Sequence, residues 1–426
     1  MARARPPIVR AMRRTTLVRV GAAAVGMVLV AEAAVWLLRP RPAPIASAPV
    51  AERDYFTATQ IDRGSDFSSG QLWLYVGGLG IELVVLVAAA AGRPVAVRAA
   101  LARAGGRPLL GAAAAGAGVS VAVALATLPV GLAAHDRAVD FGLSIQSTAS
   151  WLGDAGKSIA IGALLAAAGG VLLASLVRRF PRAWWIPGSV VALAIAAVLT
   201  WLAPVVLAPL FNRFEALPAG SEARAEVLGL ARRAGVDVGG VYRVDASRKV
   251  RALNAYVDGI GSTRRVVLYD NLLADTDRAQ LGSVVAHELG HVKHDDILRG
   301  LAFVALAAPL GLLFAREVAE PLARRAGFAP GSPGSVPAYA LGVALAALVL
   351  GIAGNELSRR VEASADGFAL DLTHHPRAFI EVQRKLTVSA VGDPDPPAVP
   401  HFLLGTHPTA VERIGAALAY ERGARG

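Results

Sequence analysis

Long apolar runs constrain this chain more than any other feature of its sequence. Crossing about 30 Å of hydrocarbon takes roughly 20 apolar residues in a helix, and the first half of the chain contains five runs of that length. Only 18% of the 426 residues are charged, whereas soluble domains have about 25%. The sequence therefore predicts a mostly α-helical, multi-pass protein of the cell membrane, whose first spans cover residues 17–38, 72–91, 108–134, 158–177 and 184–209.

The first run has two interpretations. Basic residues precede it and Ala46-Ser47-Ala48 follows it, as in a secretory signal peptide. Its apolar stretch exceeds the 7–15 residues of a signal core, which favours a retained span over a cleaved segment 1–48.

A soluble segment follows the fifth run, because charged residues become frequent from Asn212 to Arg299. Two shorter apolar runs come next, at 301–315 and 338–353, and they are either short spans or a re-entrant pair. The patterns of the soluble segment predict a helix over 221–233, a strand near 241–244, a hairpin with arms 253–257 and 265–269 around a turn at 258–262, and a helix over 277–298.

The sharpest chemical signal is His287-Glu288-Leu289-Gly290-His291. A spacing of four places the two imidazoles about 40° apart on one helix face, so that both can bind one metal ion. This is half of a tetrahedral zinc site, and Glu288 lies beside it, where it can accept a proton from water. The chain contains no cysteine, so the third ligand of a catalytic zinc must be His, Asp or Glu.

Glu362 is the best candidate for that third ligand. It lies about 10 Å of helix beyond Asn355, where the last apolar run ends, and His291 lies about 12 Å before Arg299, where the preceding run begins. Two runs separate these positions, so both ligands emerge on one face at similar heights. Asp366, one turn beyond Glu362, is placed to hold the second nitrogen of a ligating imidazole.

These stretches resemble the M48 zinc metalloproteases, and among them the Ste24-type CAAX prenyl proteases and their bacterial homologues. The resemblance is dense from about residue 200 to the C terminus and loose before it. It rests on Ala208-Pro209-Leu210-Phe211-Asn212, Asn254-Ala255-Tyr256, Arg265-Val266-Val267-Leu268-Tyr269-Asp270, the His-Glu-x-x-His motif, Ser358-Arg359-x-x-Glu362-x-x-Ala365-Asp366, and His407-Pro408 with Arg413-Ile414.

The resemblance implies a zinc metalloendopeptidase with seven spans and a small α+β zincin-like domain of the gluzincin type. One zinc ion per chain would be bound by His287, His291 and Glu362, with Glu288 as general base. His407 would stabilise the oxyanion with support from Arg413, and Asn254 would contact the substrate backbone. The strand 265–269 is then expected to be a sheet edge that pairs with a peptide substrate through Val266, Val267 and Leu268.

We therefore expect four parts in the chain. Residues 1–210 form a membrane region of about five spans, and residues 211–300 form a soluble insert with the hairpin and the His-Glu-x-x-His helix. Residues 301–353 add two apolar helices, and residues 354–426 carry the third ligand and the C-terminal catalytic segment.

The formal net charge of +11 does not indicate nucleic acid, because many arginines flank apolar runs, where they anchor and orient spans. The expected partners are the lipid bilayer and a peptide or membrane-protein substrate, and the oligomeric state stays open. The high Ala, Gly and Arg content indicates a GC-rich bacterial source, where prenylated CAAX tails are not expected.

The orientation of the protein in the membrane and its function each have more than one interpretation. Loops on the N-terminal side carry 15 basic residues and the opposite short loops carry 6, so the positive-inside rule places the zinc face outside, whereas the resemblance implies a cytoplasmic zinc face. A metal-binding sensor or scaffold without turnover is the main alternative to a peptidase. A transporter is a weaker one, because it leaves the metal-ligand pattern unexplained.

Overall fold

The computed structural model describes residues 7–41, 44–92, 94–259 and 264–423, with side chains from residue 14 onward. Fourteen α-helices and four strands occur in these ranges. The helices are α1 Pro7–Leu38, α2 Ala58–Ala90, α3 Val95–Arg103, α4 Pro108–Asp140, α5 Thr148–Arg179, α6 Trp185–Leu202, α7 Glu222–Ala234, α8 Asp270–Asp275, α9 Arg278–Lys293, α10 Asp296–Arg325, α11 Val336–Thr373, α12 Pro376–Ser389, α13 Ala398–Leu404 and α14 Ala410–Gly423; the strands are β1 Phe214–Ala216, β2 Gly240–Val244, β3 Ala255–Asp258 and β4 Arg265–Tyr269.

Seven of the described helices are long and apolar enough to cross a membrane: α1, α2, α4, α5, α6 with its continuation to Leu210, α10 and α11. The predicted seven-span, mostly helical membrane protein is confirmed. The two short apolar runs are parts of α10 and α11, which have 30 and 38 residues. The re-entrant alternative is therefore wrong, because each run continues as helix well past its apolar stretch.

Other helix bounds differ from the predicted spans for local reasons. Helix α2 begins 14 residues before the predicted start, because Thr57 and Gln60 form a capping box that stabilises a polar first half. The fifth span stays helical to Leu202 and then widens into a π-turn over 203–207, followed by a 3₁₀ turn over 208–210. Pro204 and Pro209 lack the N–H groups that a regular α-helix would need there.

The predicted helix over 277–298 is wrong, because the structure breaks it into α9 and α10. His294 ends α9, and Asp295 adopts a left-handed conformation with φ 55°. Aspartate tolerates that conformation better than most residues. The break redirects the chain, so that Asp296 begins a new helix beside the end of α9.

Helix α1 is integrated into the bundle. Met27 is 1% exposed and packs with Phe314 of α10 and Ala346 of α11. The segment after α1 runs along α14, where the Ala48 N–H donates a hydrogen bond to the Gly415 carbonyl at 3.1 Å. The choice between a retained span and a signal peptide stays a prediction.

The soluble segment contains a four-stranded sheet with the order β1-β2-β4-β3. Strand β4 pairs in parallel with β2 and antiparallel with β3, with Val267 opposite Tyr242 and Tyr256. The predicted hairpin is thus confirmed in its arms, and residues 260–262 of its predicted turn lie outside the described ranges. Helices α7 and α9 cover one face of the sheet, where a core of fully buried side chains includes Val227, Val241, Val266, Leu268, Leu272, Val285 and Leu289.

Five spans precede the sheet and two follow α9, so the sheet and the C-terminal segment lie on the face opposite the N terminus. The chain has no cysteine, so single cysteines test this directly. Labelling with a membrane-impermeant maleimide should modify Ala102→Cys and Ala219→Cys from opposite sides, with Ala102→Cys reached from the cytoplasm if the basic loops set the orientation. Labelling of both from one side would contradict the seven-span arrangement.

Candidate metal centre

Helix α9 carries both histidines of the motif and is fixed at its start by a second capping box. The Asp277 carboxylate accepts a hydrogen bond from the Gln280 N–H at 2.9 Å. One face of the helix packs on the sheet through Val285 and Leu289, which are both fully buried. The opposite face therefore presents His287 and His291 to the helix that crosses it.

Helix α11 brings the third candidate ligand to this face. The two helices approach closely at Gly290, where an added Cβ would lie 3.3 Å from the Cα of Ala365. Ala286 and Ala365 are fully buried at the same contact. Small residues on both helices let their backbones come together, and Glu362, one turn before Ala365, then reaches the two imidazoles.

The three predicted ligands converge at one point. Glu362 Oε2 lies 3.1 Å from His287 Nε2, and Glu362 Oε1 lies 3.5 Å from His291 Nε2. The two Nε2 atoms are 3.2 Å apart. In a tetrahedral zinc site, metal–ligand bonds near 2.0–2.2 Å place neighbouring ligand atoms about 3.3 Å apart. Two imidazole nitrogens and one carboxylate at this spacing fit a zinc ion and leave one position open.

Asp366 and Arg413 lie on the Nδ1 side of the His287 imidazole. Its Nδ1 lies 2.9 Å from Asp366 Oδ1, and Arg413 binds both carboxylate oxygens of Asp366, at 2.8 and 2.5 Å. Burial opposes the charged imidazole, but the hydrogen bonds to Asp366 and Glu362 outweigh it and raise the pKa of His287 to about 10. Binding of a metal at Nε2 therefore requires release of a proton.

Arg413 makes its hydrogen bonds elsewhere than at His407, and its support of His407 stays a prediction. We expected it to support His407, whereas its hydrogen bonds go to Asp366 and, at 3.5 Å, towards His287 Nδ1. Among the described residues it forms no hydrogen bond with His407. Its contacts hold the Asp366 carboxylate, which in turn contacts His287 Nδ1.

His291 has a corresponding partner that the sequence analysis missed. Its Nδ1 lies 3.0 Å from Asp296 Oδ2, and the other oxygen of Asp296 accepts from Arg299 Nε at 2.9 Å. Arg299 also donates to the carbonyl of Leu38 at the end of α1. Only the break at Asp295 brings Asp296 back towards His291, so a continuous helix over 277–298 could not reveal it.

Glu288 and His407 flank the three ligands. Burial raises the pKa of the Glu288 carboxyl group, and within the described ranges this carboxyl group makes no hydrogen bond or ion pair. His407 keeps 56% of its side-chain exposure, and its Nε2 lies 3.3 Å from Glu362 Oε2. The Thr406 hydroxyl contacts its Nδ1 at 2.9 Å. Donation from that hydroxyl leaves the hydrogen on Nε2, which faces the metal centre.

Arg359 is a second residue without a predicted role. Its Nη1 donates to the carbonyl of Gly405 at 2.6 Å and to that of Phe402 at 3.2 Å. These bonds fix the end of α13, two residues before His407. The motif that contains Glu362 therefore also positions the loop of His407.

The predicted role of β4 as a sheet edge is wrong. Val266, Val267 and Leu268 are fully buried, and β4 lies between β2 and β3. The sequence showed the hairpin but not that β2, more than 20 residues earlier, covers the other side of β4. The edge strands are β1 and β3, and β3 begins directly after the exposed Asn254.

Comparison with known proteins agrees with this geometry. Residues 220–421 match the family model of peptidase family M48, and residues 137–213 match the CAAX prenyl protease N-terminal family, described as five membrane helices. The "Uncharacterized metalloprotease YhfN" of Bacillus subtilis is 30% identical over 297 residues, which cover 68% of this chain and 69% of the relative. This chain belongs to peptidase family M48.

Within M48 the chain is of the Ste24 type. A CAAX prenyl protease 1 homolog of Dictyostelium discoideum is 29% identical over 52% of each chain, so this chain spans about half the length of that relative. The crystal structure of Ste24p from S. mikatae has the same fold, with a TM-score of 0.72 at 17% identity over 94% of this chain and 98% of Ste24p. The protein is thus a multi-pass membrane metalloprotease of a family that uses a metal, generally zinc.

Asp296 should determine metal affinity through His291. Partners of ligating histidines typically contribute 10- to 100-fold to metal affinity. We expect Asp296→Ala to weaken zinc binding by about that factor in competition with a chromogenic chelator, and Asp296→Asn to weaken it less. The matched control is Asp295→Asn, which changes the neighbouring charge and keeps a residue that tolerates positive φ. Equal affinities for Asp296→Ala and the control would exclude this role.

Proposed function

We propose that the protein is a membrane-embedded zinc endopeptidase that hydrolyses peptide bonds with an activated water, with Glu288 as general base. The observation that carries this proposal is the convergence of His287, His291 and Glu362 at tetrahedral spacing, next in sequence to the half-buried Glu288. The soluble insert 211–300 and the segment 354–426 would form the catalytic unit on the bundle.

Zinc fits the donor set, because imidazole and carboxylate are its ligands in catalytic sites without cysteine. When bound, a zinc ion supplies Lewis acidity that makes water acidic enough to lose a proton at about pH 7 and polarises a peptide carbonyl. His287, His291 and Glu362 would hold it, with His287 oriented by Asp366 and His291 by Asp296.

Glu288 follows His287 directly, and the charges of His287, His291 and Glu362 act on its carboxyl group. In the proposed reaction it takes the proton of the attacking water and later delivers it to the leaving amine. Its raised pKa suits the first step, because a carboxylate with a higher pKa is a stronger base towards water. The protonated carboxyl group is still acidic enough to protonate a leaving amine.

His407 supplies the hydrogen bond to the developing oxyanion in this proposal. Its Nε2 is exposed on the metal side, 3.3 Å from a ligand oxygen, and Thr406 and Arg359 fix its ring and its loop. Donors of this kind contribute about 3 kcal/mol to transition-state stabilisation in other hydrolases.

Strand β3 is the proposed substrate edge. The Tyr269 N–H donates to the Asn254 carbonyl at 3.0 Å. In the antiparallel register, Ala255 and Val257 therefore occupy the non-hydrogen-bonded positions opposite β4. Their N–H and C=O groups point to the open side, where an extended peptide can add. At present Asn254 Oδ1 accepts from the Ala255 N–H at 2.9 Å, so Asn254 is placed to exchange this bond for one to the substrate backbone.

Apolar space beside the site suits a substrate that comes from the membrane. A cavity of about 850 Å³ lies between α2, α11 and α13, and its lining includes Asn355, His401 and Gly405 near the His407 loop. A second cavity of about 620 Å³ shares Gln71 and Tyr75 with it and extends between α2 and α4. Both hydrophobic peptides and membrane-protein segments fit this arrangement.

The decisive test of catalysis is Glu288→Gln, which removes the base but none of the metal ligands. We expect one zinc per chain by atomic absorption and a kcat about 10²–10⁴-fold lower on a peptide library in detergent. Glu381→Gln, a surface change on α12, is the matched control and should keep full activity. Full activity of Glu288→Gln would exclude the mechanism, and zinc binding without any peptidase activity in the unaltered protein would favour a sensor or scaffold.

The substrate edge is tested by Val257→Pro. Proline removes the outward N–H but no bond of the β3–β4 pair, and edge strands tolerate it where the N–H faces outward. We expect KM to rise several-fold with unchanged zinc content, whereas Val257→Ala, which keeps the N–H, should have a KM near that of the unaltered protein. The same KM for both variants would show that peptides do not pair with this edge.

A further inference from the structure

Glu82 lies in the middle of the second span. It follows Leu72, where the apolar stretch of α2 begins, by about 15 Å of helix, which is about half of the hydrocarbon thickness of a bilayer. Within the described ranges its carboxyl group makes no hydrogen bond or ion pair. An ionisable side chain at this depth is costly, and such residues typically face a partner or a functional cavity.

The carboxyl group of Glu82 lines the cavity of about 620 Å³ that extends between α2 and α4. Gly78 precedes Glu82 by one helical turn and lines the same cavity, so no side chain of α2 fills the space at that position. On the opposite wall, the Thr127 hydroxyl donates to the Val123 carbonyl at 2.9 Å. The hydrogen of that hydroxyl is therefore engaged by its own helix, and the space beside Glu82 is left for a ligand.

This cavity and the larger one of about 850 Å³ form one continuous space. Five residues line both of them: Gln71, Tyr75, Leu79, Ala347 and Leu348. The larger cavity extends to Gly405, two residues before His407. An apolar chain that occupies this space can thus reach from the loop of His407 to Glu82.

The charge that lines this space is opposite in sign to the charge of the protein. The chain has 43 lysines and arginines against 32 aspartates and glutamates, yet among the described residues no lysine or arginine lines either cavity. The acidic residues of the two linings are Glu82 and Asp393, and Asp393 lies with Ser65 and Ser68 at the polar end of the space. A cation at the apolar end meets a carboxylate with no competing positive charge, in surroundings that strengthen the attraction.

We propose that Glu82 binds a lysine or arginine side chain of the substrate, carried by an otherwise apolar stretch that occupies the two cavities. Pairing with a basic side chain would compensate the cost of a carboxylate at this depth. The proposal rests on the proposed function, because it assigns the substrate class of the same site.

The fold also sets the position of the basic residue. Leu348 and Ala344 of α11 line the cavity of Glu82, and they precede Glu362 by about 21 and 27 Å of helix. An extended chain covers that distance in about six to eight residues. The lysine or arginine should therefore lie about six to eight residues from the bond that is cleaved.

The test moves a single lysine through an apolar peptide and compares each peptide with its norleucine counterpart, which keeps the carbon chain but lacks the ammonium group. With the zinc-loaded protein in detergent, we expect lysine at about six to eight residues from the cleaved bond to raise kcat/KM about tenfold, since a charge-assisted hydrogen bond is worth about that factor. Lysine two residues from the bond should have little effect.

In Glu82→Gln the ratio of the two kcat/KM values should fall to near one, while Glu82→Asp should keep part of it. The matched control is Glu32→Gln, which changes a glutamate of the first span whose side chain is exposed on the outside of the bundle, and it should retain the full ratio. One zinc ion per chain in Glu82→Gln would show that this variant is folded.

A binding measurement separates this inference from the proposed function. In Glu288→Gln protein, fluorescence anisotropy should show the lysine peptide binding about tenfold more tightly than the norleucine peptide, and adding Glu82→Gln should remove the difference. Equal cleavage and equal binding of the two peptides at every position would overturn the inference and leave the peptidase intact. A lysine preference that survives Glu82→Gln would overturn it as well, because the cation would then bind elsewhere. Absence of any zinc-dependent cleavage would refute the proposed function, and the binding measurement would still decide the role of Glu82.

Discussion

The close approach of α9 and α11 is the contact on which the metal centre depends. Glycine at position 290 and alanine at position 365 let the two backbones meet, and only then can a carboxylate on one helix share a metal ion with two imidazoles on the other. A larger residue at 290 would meet both the Ala365 backbone and the Phe368 ring. Interior packing transmits such a change as a shift of the whole helix rather than absorbing it locally, so Glu362 would move out of reach of the ligand position.

Around this contact the protein orients each histidine by a separate carboxylate that is itself held by an arginine. Asp366 and Arg413 hold His287 from the C-terminal segment, and Asp296 with Arg299 holds His291 from the start of α10. Arg299 also donates to the carbonyl at the end of α1, so hydrogen bonds connect His291 to the first span of the bundle. Buried carboxylates are costly unless they are paired, and here each pairing also fixes the direction of an imidazole.

The sequence predicted the parts of this site that follow from helical period and from chain order. The spacing of His287 and His291 fixes their common face, and counting residues from the membrane edges places Glu362 at their height, so these residues could be found without a structure. Asp296 could not, because its position depends on a left-handed residue at 295 that the local pattern does not require. The edge strand was assigned wrongly for a related reason: the β-branched and apolar residues of 265–269 indicate a strand, but strand order depends on the distant β2.

Glu362, the proposed third ligand, lies on a helix that also crosses the membrane, and this helix links the metal centre to the space inside the bundle. Helix α11 runs without interruption from the bundle to Glu362 and Asp366, and its membrane half lines the larger apolar cavity. A hydrophobic segment in that cavity lies beside the same helix as the metal ligand, and Asn355 and Arg359 of this helix hold the carbonyls of the loop that leads to His407. Occupation of the cavity and placement of His407, the proposed oxyanion donor, therefore involve the same stretch of backbone. With β3 as the proposed substrate edge, a substrate that presents an apolar part to the bundle and an extended chain to β3 would use both surfaces at once.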